Sequence, residues 1–405
     1  MTASTATLSL HQPARLAVAT RATYAVFIAA GFGLASWASR IPQVRDRLHL
    51  TPAHLGLVLL ALAAGSLLAL PLAGAIVHRI SAARTVAGMA LVASAGLVIL
   101  ALGYVAGVVP LAIGLFLFGF GNGAWDVAMN VQGASVERQI GRAIMPRFHA
   151  GFSAGTVVGA LTGAVMVAAH VAVTAHLLVV AVVVALAVPF AARGFVPDDA
   201  TEESASSAND EPAVKTSAFS RWREPRTLLI GLVVLAFALC EGSAVDWINV
   251  ALIDGHHVSP VTGTLGFATF LTAMTAVRWF GTGLLDRYGR VPVLRGLAAV
   301  AIVGLLLFIF SPVAPLAFAG AVLWGAGASL GFPVGMSAAA DDPAAAAGRV
   351  SVVASIGYCA FLGGPPLIGF LGNHFTVLRA LLVVAVLLGL ATAVTPALRP
   401  LPRAD

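Results

Sequence analysis

The chain has 405 residues, 59% of them hydrophobic and only 10% charged, and its mean hydropathy of +0.96 excludes a soluble globular protein. A net charge of +6 does not mark a nucleic-acid binder, because the arginines and the single lysine, Lys215, are scattered between apolar runs and massed on no one face. The two cysteines, Cys240 and Cys359, both fall inside apolar runs and form neither a disulfide framework nor a metal-ligand spacing.

From the N-terminus, a polar tail over 1–21 lacks the apolar core and cleavage site of a signal peptide, so the first apolar run is a retained anchor. Twelve runs follow, at roughly 22–41, 52–77, 85–106, 109–135, 146–169, 174–195, 227–250, 260–284, 292–311, 315–338, 350–371 and 378–397. Each is long enough to cross about 30 Å of hydrocarbon as a helix, and the alternation of a β-barrel is missing. The expected class is an all-α membrane protein of twelve transmembrane helices in two pseudo-symmetric six-helix halves, 22–196 and 227–398. Between them, 197–226 reads as a hydrophilic linker, and 399–405 is a tail. Basic residues concentrate on the side that holds both termini and the linker, among them Arg79, Arg84, Arg138, Arg142, Arg193, Arg287, Arg290, Arg349 and Arg403. The positive-inside rule makes that side cytoplasmic and the expected location a bacterial inner membrane.

The halves repeat at an offset of about 207: Thr51-Pro52 returns as Ser259-Pro260, and Leu117-Phe-Gly119-Phe-Gly121 as Leu323-Trp-Gly325-Ala-Gly327. Such duplication marks a transporter with its solute site between repeats. No phosphate-binding loop for ATP occurs, so gradients must supply the energy. Asp341-Asp342 is similar to the aspartate-rich Mg²⁺ site of membrane prenyltransferases, but no second acidic cluster accompanies it, and the expectation is no enzyme, no cofactor and no metal.

Only three carboxylates, Asp126, Glu241 and Asp246, fall inside apolar runs. A charge there costs at least about 2.5–3.5 kcal/mol, so each is expected to face a partner or a wet cavity. Asp126 lies between Asn122 and Asn130 on one stripe of the fourth span, serving either in proton or substrate binding or as a hydrogen-bonding anchor for a neighbouring helix. In the seventh span, Glu241 points about 140° away from Asp246, near which Ser243 and Asn249 lie. Burial favours its neutral form and suits proton coupling. Asp246 and Asn249 are candidate substrate contacts, as are Trp37 and Arg40, one turn apart in the first span, where Arg40 alternatively snorkels to the interface. Glycines at 151, 155, 159 and 163 in the fifth span form a packing ladder.

The segment Arg278-Trp-Phe-Gly281-Thr282-Gly283-Leu284-Leu285-Asp286-Arg287-Tyr288-Gly289-Arg290 resembles the cytoplasmic loop motif G-x-L-x-D-R-x-G-R of the major facilitator superfamily (MFS), and its first-half counterpart around Gly74 keeps Arg79 but has His78 at the Asp position and Ser81 nearby. Trp125-Asp126-Val-Ala128-Met-Asn130 is similar to a stretch of fucose–proton symporters, and Gly242-Ser243-Ala-Val-Asp246-Trp247 with Gly327-Ala-Ser-Leu-Gly331-Phe-Pro333 resembles a YbjJ-like branch. The resemblance implies a monomeric secondary transporter in the lipid bilayer that takes a small-molecule substrate, coupled to protons. It also implies a cytoplasmic gate of Arg278, Asp286, Arg287, Arg290 and Arg79. His149 stands where those symporters have Gln and serves as either a proton relay or a packed histidine. Two other readings stay open: a transport-inactive sensor or scaffold, and a proton-driven exporter of drugs or metabolites.

Overall fold

A computed structural model describes residues 4–141, 144–196, 218–342 and 345–400. Arg142, Arg403 and most of the linker, Lys215 included, lie outside the described residues. Within them all regular structure is helical, and twelve stretches are long and apolar enough to span a membrane. The first half comprises α1 (Ser4–Ala38), the short α2 (Ile41–Arg47), α3 (Pro52–Ile80), α4 (Ala82–Ala106), α5 (Val108–Ile140), α6 (Met145–Ala168) and α7 (Val173–Ala192). A 3₁₀ turn (Ala218–Arg223) leads into α8 (Pro225–His256), α9 (Pro260–Phe280), α10 (Thr282–Tyr288), α11 (Arg290–Phe310), α12 (Ala314–Ala328), α13 (Gly331–Ala339), α14 (Ala346–His374), α15 (Val377–Ala380) and α16 (Leu382–Val394).

Two features differ from the sequence expectation. Helix α1 begins at Ser4, well before the expected end of the tail, because the Ala, Leu, Gln and Arg of that stretch favour helix even where apolarity has ended. The tenth span is broken at Ser329-Leu330 into α12 and α13. Pro333 has no N–H to give the carbonyl four residues back, so the Ser329 carbonyl must find a donor elsewhere.

The repeat recurs in backbone detail. Thr51 and Ser259 each stand before a helix-opening proline and cap the turn, accepting from the backbone N–H of His54 at 3.3 Å and of Thr262 at 3.2 Å. His49 and His257 each hold φ near +50° just upstream. In the motif loops, Gly289 sits at φ +78° and its counterpart Ser81 at φ +83°, a conformation with ψ near 150° that is normally left to glycine. Ser81→Gly is therefore expected to raise the melting temperature in detergent. Strain of about 1–3 kcal/mol is relieved, and the lost cap from Ser81 Oγ to the Arg84 N–H, 3.4 Å long, costs a few tenths. A lower melting temperature than wild type would show that the cap outweighs the strain.

By packing, the chain forms two compact units. One contains the chain up to Trp37, Ala61–Thr162 and the stretch from His170 towards the linker; the other contains Ala38–Leu60, Gly163–Ala169 and the chain after the linker. Lipid offers apolar helices little hydrophobic incentive to associate, so small residues that permit close approach set the contacts. In the first unit the ladder of α6 rides on α1: a Cβ at Gly159 would lie 2.6 Å from the Phe32 carbonyl oxygen, and one at Gly155 would collide with that of Ile28. Helix α5 presses on α3, where Ser66 Oγ donates to the Gly119 carbonyl at 2.9 Å. In the second unit Gly325 of α12 meets Phe270 of α9 as Gly119 meets Leu62 of α3 in the first. The aromatic rings of Phe270, Trp324 and Phe308 stack edge to face there, and Trp324 Nε1 donates to the Cys240 carbonyl at 3.2 Å.

Candidate functional site

Two embedded charges of the second unit, Arg278 and Glu241, meet beside the broken span. Arg278, near the end of α9, donates from Nε to the Ser329 carbonyl at 2.9 Å, replacing the N–H that Pro333 lacks. Its Nη2 donates to Glu241 Oε2 of α8 at 2.7 Å. One guanidinium thereby ties together three spans, and both side chains of the pair keep about a fifth of their surface open, 22% and 21%.

The resemblance implies a gate that includes Arg278 and Asp286, and Glu241 is a candidate for proton coupling; in the structure Arg278 and Glu241 form an ion pair. Asp286 and Arg287 are exposed on α10, and Arg287 lies over the Tyr288 ring at 5.2 Å, while Asp286 makes no ion pair among the described residues. Arg79 is exposed at the end of α3. Arg290 does join a network, but its partner is Asp341, at 2.7 and 2.9 Å, which also receives Arg226 at 2.9 Å. Beside it Arg349 reaches Glu224 at 2.7 Å and Asp342 at 3.0 Å, and Arg221 pairs with Glu224 too. The Asp341-Asp342 pair, a poor metal motif in the sequence, is thus the acidic centre of the motif loop's contacts. The signal that could have revealed it is its position just after the tenth span, beside the arginines that open the seventh, ninth and eleventh.

Burial alone would raise the Glu224 pKa, but donors from Arg349, Arg221 and Thr227 outweigh it and hold the group down to about 2. A carboxylate depressed in the folded state stabilises above its unfolded value of about 4.3 and loses that contribution as pH falls towards 2. Glu224→Gln should lower the melting temperature at pH 7, with the gap from wild type closing between about pH 5 and pH 2. A gap constant over that range would exclude an ionic contribution.

In the first unit Asp126 is half-buried on α5, with Asn122 and Asn130 one turn either side, and Asn130 Nδ2 donates to the Asp126 backbone carbonyl at 2.8 Å. The Asp126 carboxylate itself has no hydrogen bond or ion pair among the described residues. It shares a helix face with Gly119 and Gly123, which meet α3 at Leu62 and Ser66. His149 is exposed on α6, its ring edge against Phe27 at 5.3 Å. Trp37 is 2% exposed and packs within the first unit. Arg40, also 2% exposed, belongs to the second unit and is engaged in contacts rather than snorkelling into water. Asp246 is half-buried on α8, and Asn249 is buried, with Nδ2 donating to the Ala38 carbonyl at 3.4 Å.

The family model of the Major Facilitator Superfamily matches residues 22–363. The chain belongs to this superfamily. It is 33% identical to an uncharacterized transporter of Sinorhizobium fredii over 95% of its own length and 99% of that protein's. An uncharacterized MFS-type transporter of Yersinia pestis is 32% identical over 90% of this chain and 92% of its own length, and the membrane protein MosC of Rhizobium meliloti is 27% identical over 88% and 84%. Among solved structures, the chain resembles a point mutant of the nucleoside transporter NupG (TM-score 0.74, 15% identity, 93% and 99% of the two chains). It also resembles a bacterial homologue of the human lysosomal transporter Spinster (TM-score 0.75, 14% identity, 96% and 99%). At that identity the likeness shows the MFS fold. The chain is accordingly a multi-pass membrane protein of a transporter superfamily whose members bind small molecules.

Proposed function

We propose that this MFS protein is a proton-coupled secondary transporter of a small polar solute, working by alternating access, with both termini in the cytoplasm of a bacterial cell. The reading rests above all on the Glu241–Arg278 pair, which holds a carboxylate and a guanidinium at 2.7 Å within membrane spans and is anchored on a carbonyl freed by a helix break. Charges cost free energy in such places unless they have work to do. Glu241 and Asp126 are the proton-carrying groups, with His149 as relay; Asn122, Asn130, Asp246, Asn249, Arg40 and Trp37 make up the solute contacts. Arg278, Asp286, Arg287, Arg290 and Arg79 make up the cytoplasmic gate, in which Arg290 acts through Asp341. The fucose–proton symporter-like and YbjJ-like sequence features support uptake by symport.

A transport-inactive scaffold draws support from the first-half loop, where exposed His78 replaces the motif Asp and Ser81 occupies a strained glycine conformation. A thermal-shift screen of the purified protein against sugars, polyols, organic acids and drugs separates these readings when followed by uptake in proteoliposomes, since a native-state ligand raises apparent stability. Stabilisation by a solute that then crosses supports the transporter; a stabilising solute that never crosses supports the scaffold.

A further inference from the structure

At the end of the second unit that carries the motif loop, Arg226 and Arg290 reach Asp341, and Arg349 reaches Glu224 and Asp342. Arg295 meets no carboxylate among the described residues. It lies five residues into α11, about 7–8 Å along the helix from Arg290. Its Nε donates to Thr395 Oγ1 at 2.8 Å and, less closely, to the Thr392 carbonyl at the end of α16 at 3.4 Å. Neither Nη has a hydrogen bond or ion pair among the described residues.

Arg295 is exposed, and it shares the lipid face of α11. Ala299, Val303, Leu306 and Phe310 fall within about 80° of it at 100° per residue, and all four are exposed. A charge on such a face is costly unless a counter-charge meets it, and the neighbouring chain offers none: neither α11 nor the stretch from Leu382 to Leu398 that packs beside it contains an acidic residue. Nor does the fold of a half require an arginine here. Counted from the paired Ser81 and Gly289, the first-half counterpart of Arg295 is Ala87.

We propose that Arg295, oriented by Thr392 and Thr395, is the headgroup site of one anionic phospholipid, whose phosphate takes the two Nη groups and whose acyl chains lie along the exposed face of α11. With Nε engaged, the guanidinium is left with a fixed planar edge of N–H donors, the geometry that phosphate oxygens accept in pairs. The same surroundings select the lipid class. A zwitterionic headgroup would bring an ammonium that finds no carboxylate on either helix, whereas an anionic one brings the charge that Arg295 lacks. On α16, three residues before Thr392, a Cβ on Gly389 would meet nothing within 4 Å, which leaves room at the surface for a chain. The inference needs only a chain embedded in a membrane and is independent of transport.

The test is native mass spectrometry of the purified full chain in detergent, with phosphatidylglycerol, phosphatidylcholine or inorganic phosphate added. The wild-type protein should retain one phosphatidylglycerol in preference to phosphatidylcholine by about fivefold or more. Arg295→Gln should lose that preference, while Arg84→Gln, which removes an exposed arginine near the start of α4, should keep it. A preference intact in Arg295→Gln would place the lipid elsewhere, and an equal loss in both variants would reduce the effect to general attraction between basic residues and anionic lipid; either result overturns the site. Retention of inorganic phosphate without preference between the two lipids would overturn the lipid as occupant. If Arg295→Gln does not purify as a monodisperse protein, Arg295→Lys carries the test: it keeps the charge without the planar fork, so retention should weaken at least about twofold, and wild-type retention would overturn the proposal.

Discussion

Arg278→Ala should cut gradient-driven uptake at least about 30-fold, the equivalent of about 2 kcal/mol in the coupled step, and should lower stability as well. The guanidinium satisfies the Ser329 carbonyl and the Glu241 carboxylate at once. Its loss orphans both inside a span, and breaking a buried pair by removing one partner costs up to about 3–5 kcal/mol, less here because a fifth of each side chain is open. Glu241→Gln should cost less stability than Arg278→Ala, since an amide still accepts from Arg278, yet it should lose coupling as completely because it carries no titratable proton. The double variant Arg278→Ala with Glu241→Gln separates the roles. If the two groups stabilise each other, its melting temperature will lie above that expected from adding the single losses, while uptake stays absent. Additive melting temperatures with wild-type uptake in any of the three would remove the pair from the mechanism.

Asp126→Asn is expected to abolish accumulation against a gradient while leaving solute exchange near wild type. The substitution keeps the size and the hydrogen-bonding capacity of the stripe that Asn122 and Asn130 complete. What it removes is the one group on that face able to take up a proton. Because the carboxylate has no described partner to leave orphaned, folding should be spared, and a shift in melting temperature of less than a few degrees is expected. The assay is solute counterflow beside pH-driven uptake in the same vesicles. Full accumulation in the variant would assign Asp126 to helix packing, the alternative that its neighbourhood with Gly123 and Ser66 of α3 keeps open.

Much of the architecture is legible in the sequence because a membrane leaves few choices. Hydrophobic length sets the spans, and the Thr51-Pro52 and Ser259-Pro260 openings mark helix starts that the caps to His54 and Thr262 explain. The glycine ladder of α6 announces a close neighbour, although nothing in the pattern says that it is α1. Periodicity stops short at the tenth span, where the sequence Gly327 to Pro333 is as apolar as a continuous helix. Only the missing N–H of Pro333 hints that the Ser329 carbonyl needs a donor. For the same reason the partner of Arg278 is not legible: its pairing with Glu241 is set by how α9 packs on α8, which local spacing does not encode. Arg40, a candidate solute contact, shows how the fold decides between two readings of one residue. Its place near a span end leaves a snorkelling side chain open, and the fold buries it within the second unit. Asp341 reads first as half of a failed metal motif, although an acidic pair beside a span end has arginines as its natural partners.

Proton movement driven by solute alone tests the account most directly. Purified protein is reconstituted with a pH-sensitive dye trapped inside the vesicles, and a solute found by thermal shift is added outside with no pre-existing pH difference. The account predicts acidification of the lumen that follows the solute gradient, persists in Asp286→Asn, and disappears in Glu241→Gln and Asp126→Asn. Solute entry with no pH change in the wild-type protein, or acidification that survives both carboxylate substitutions, would contradict it.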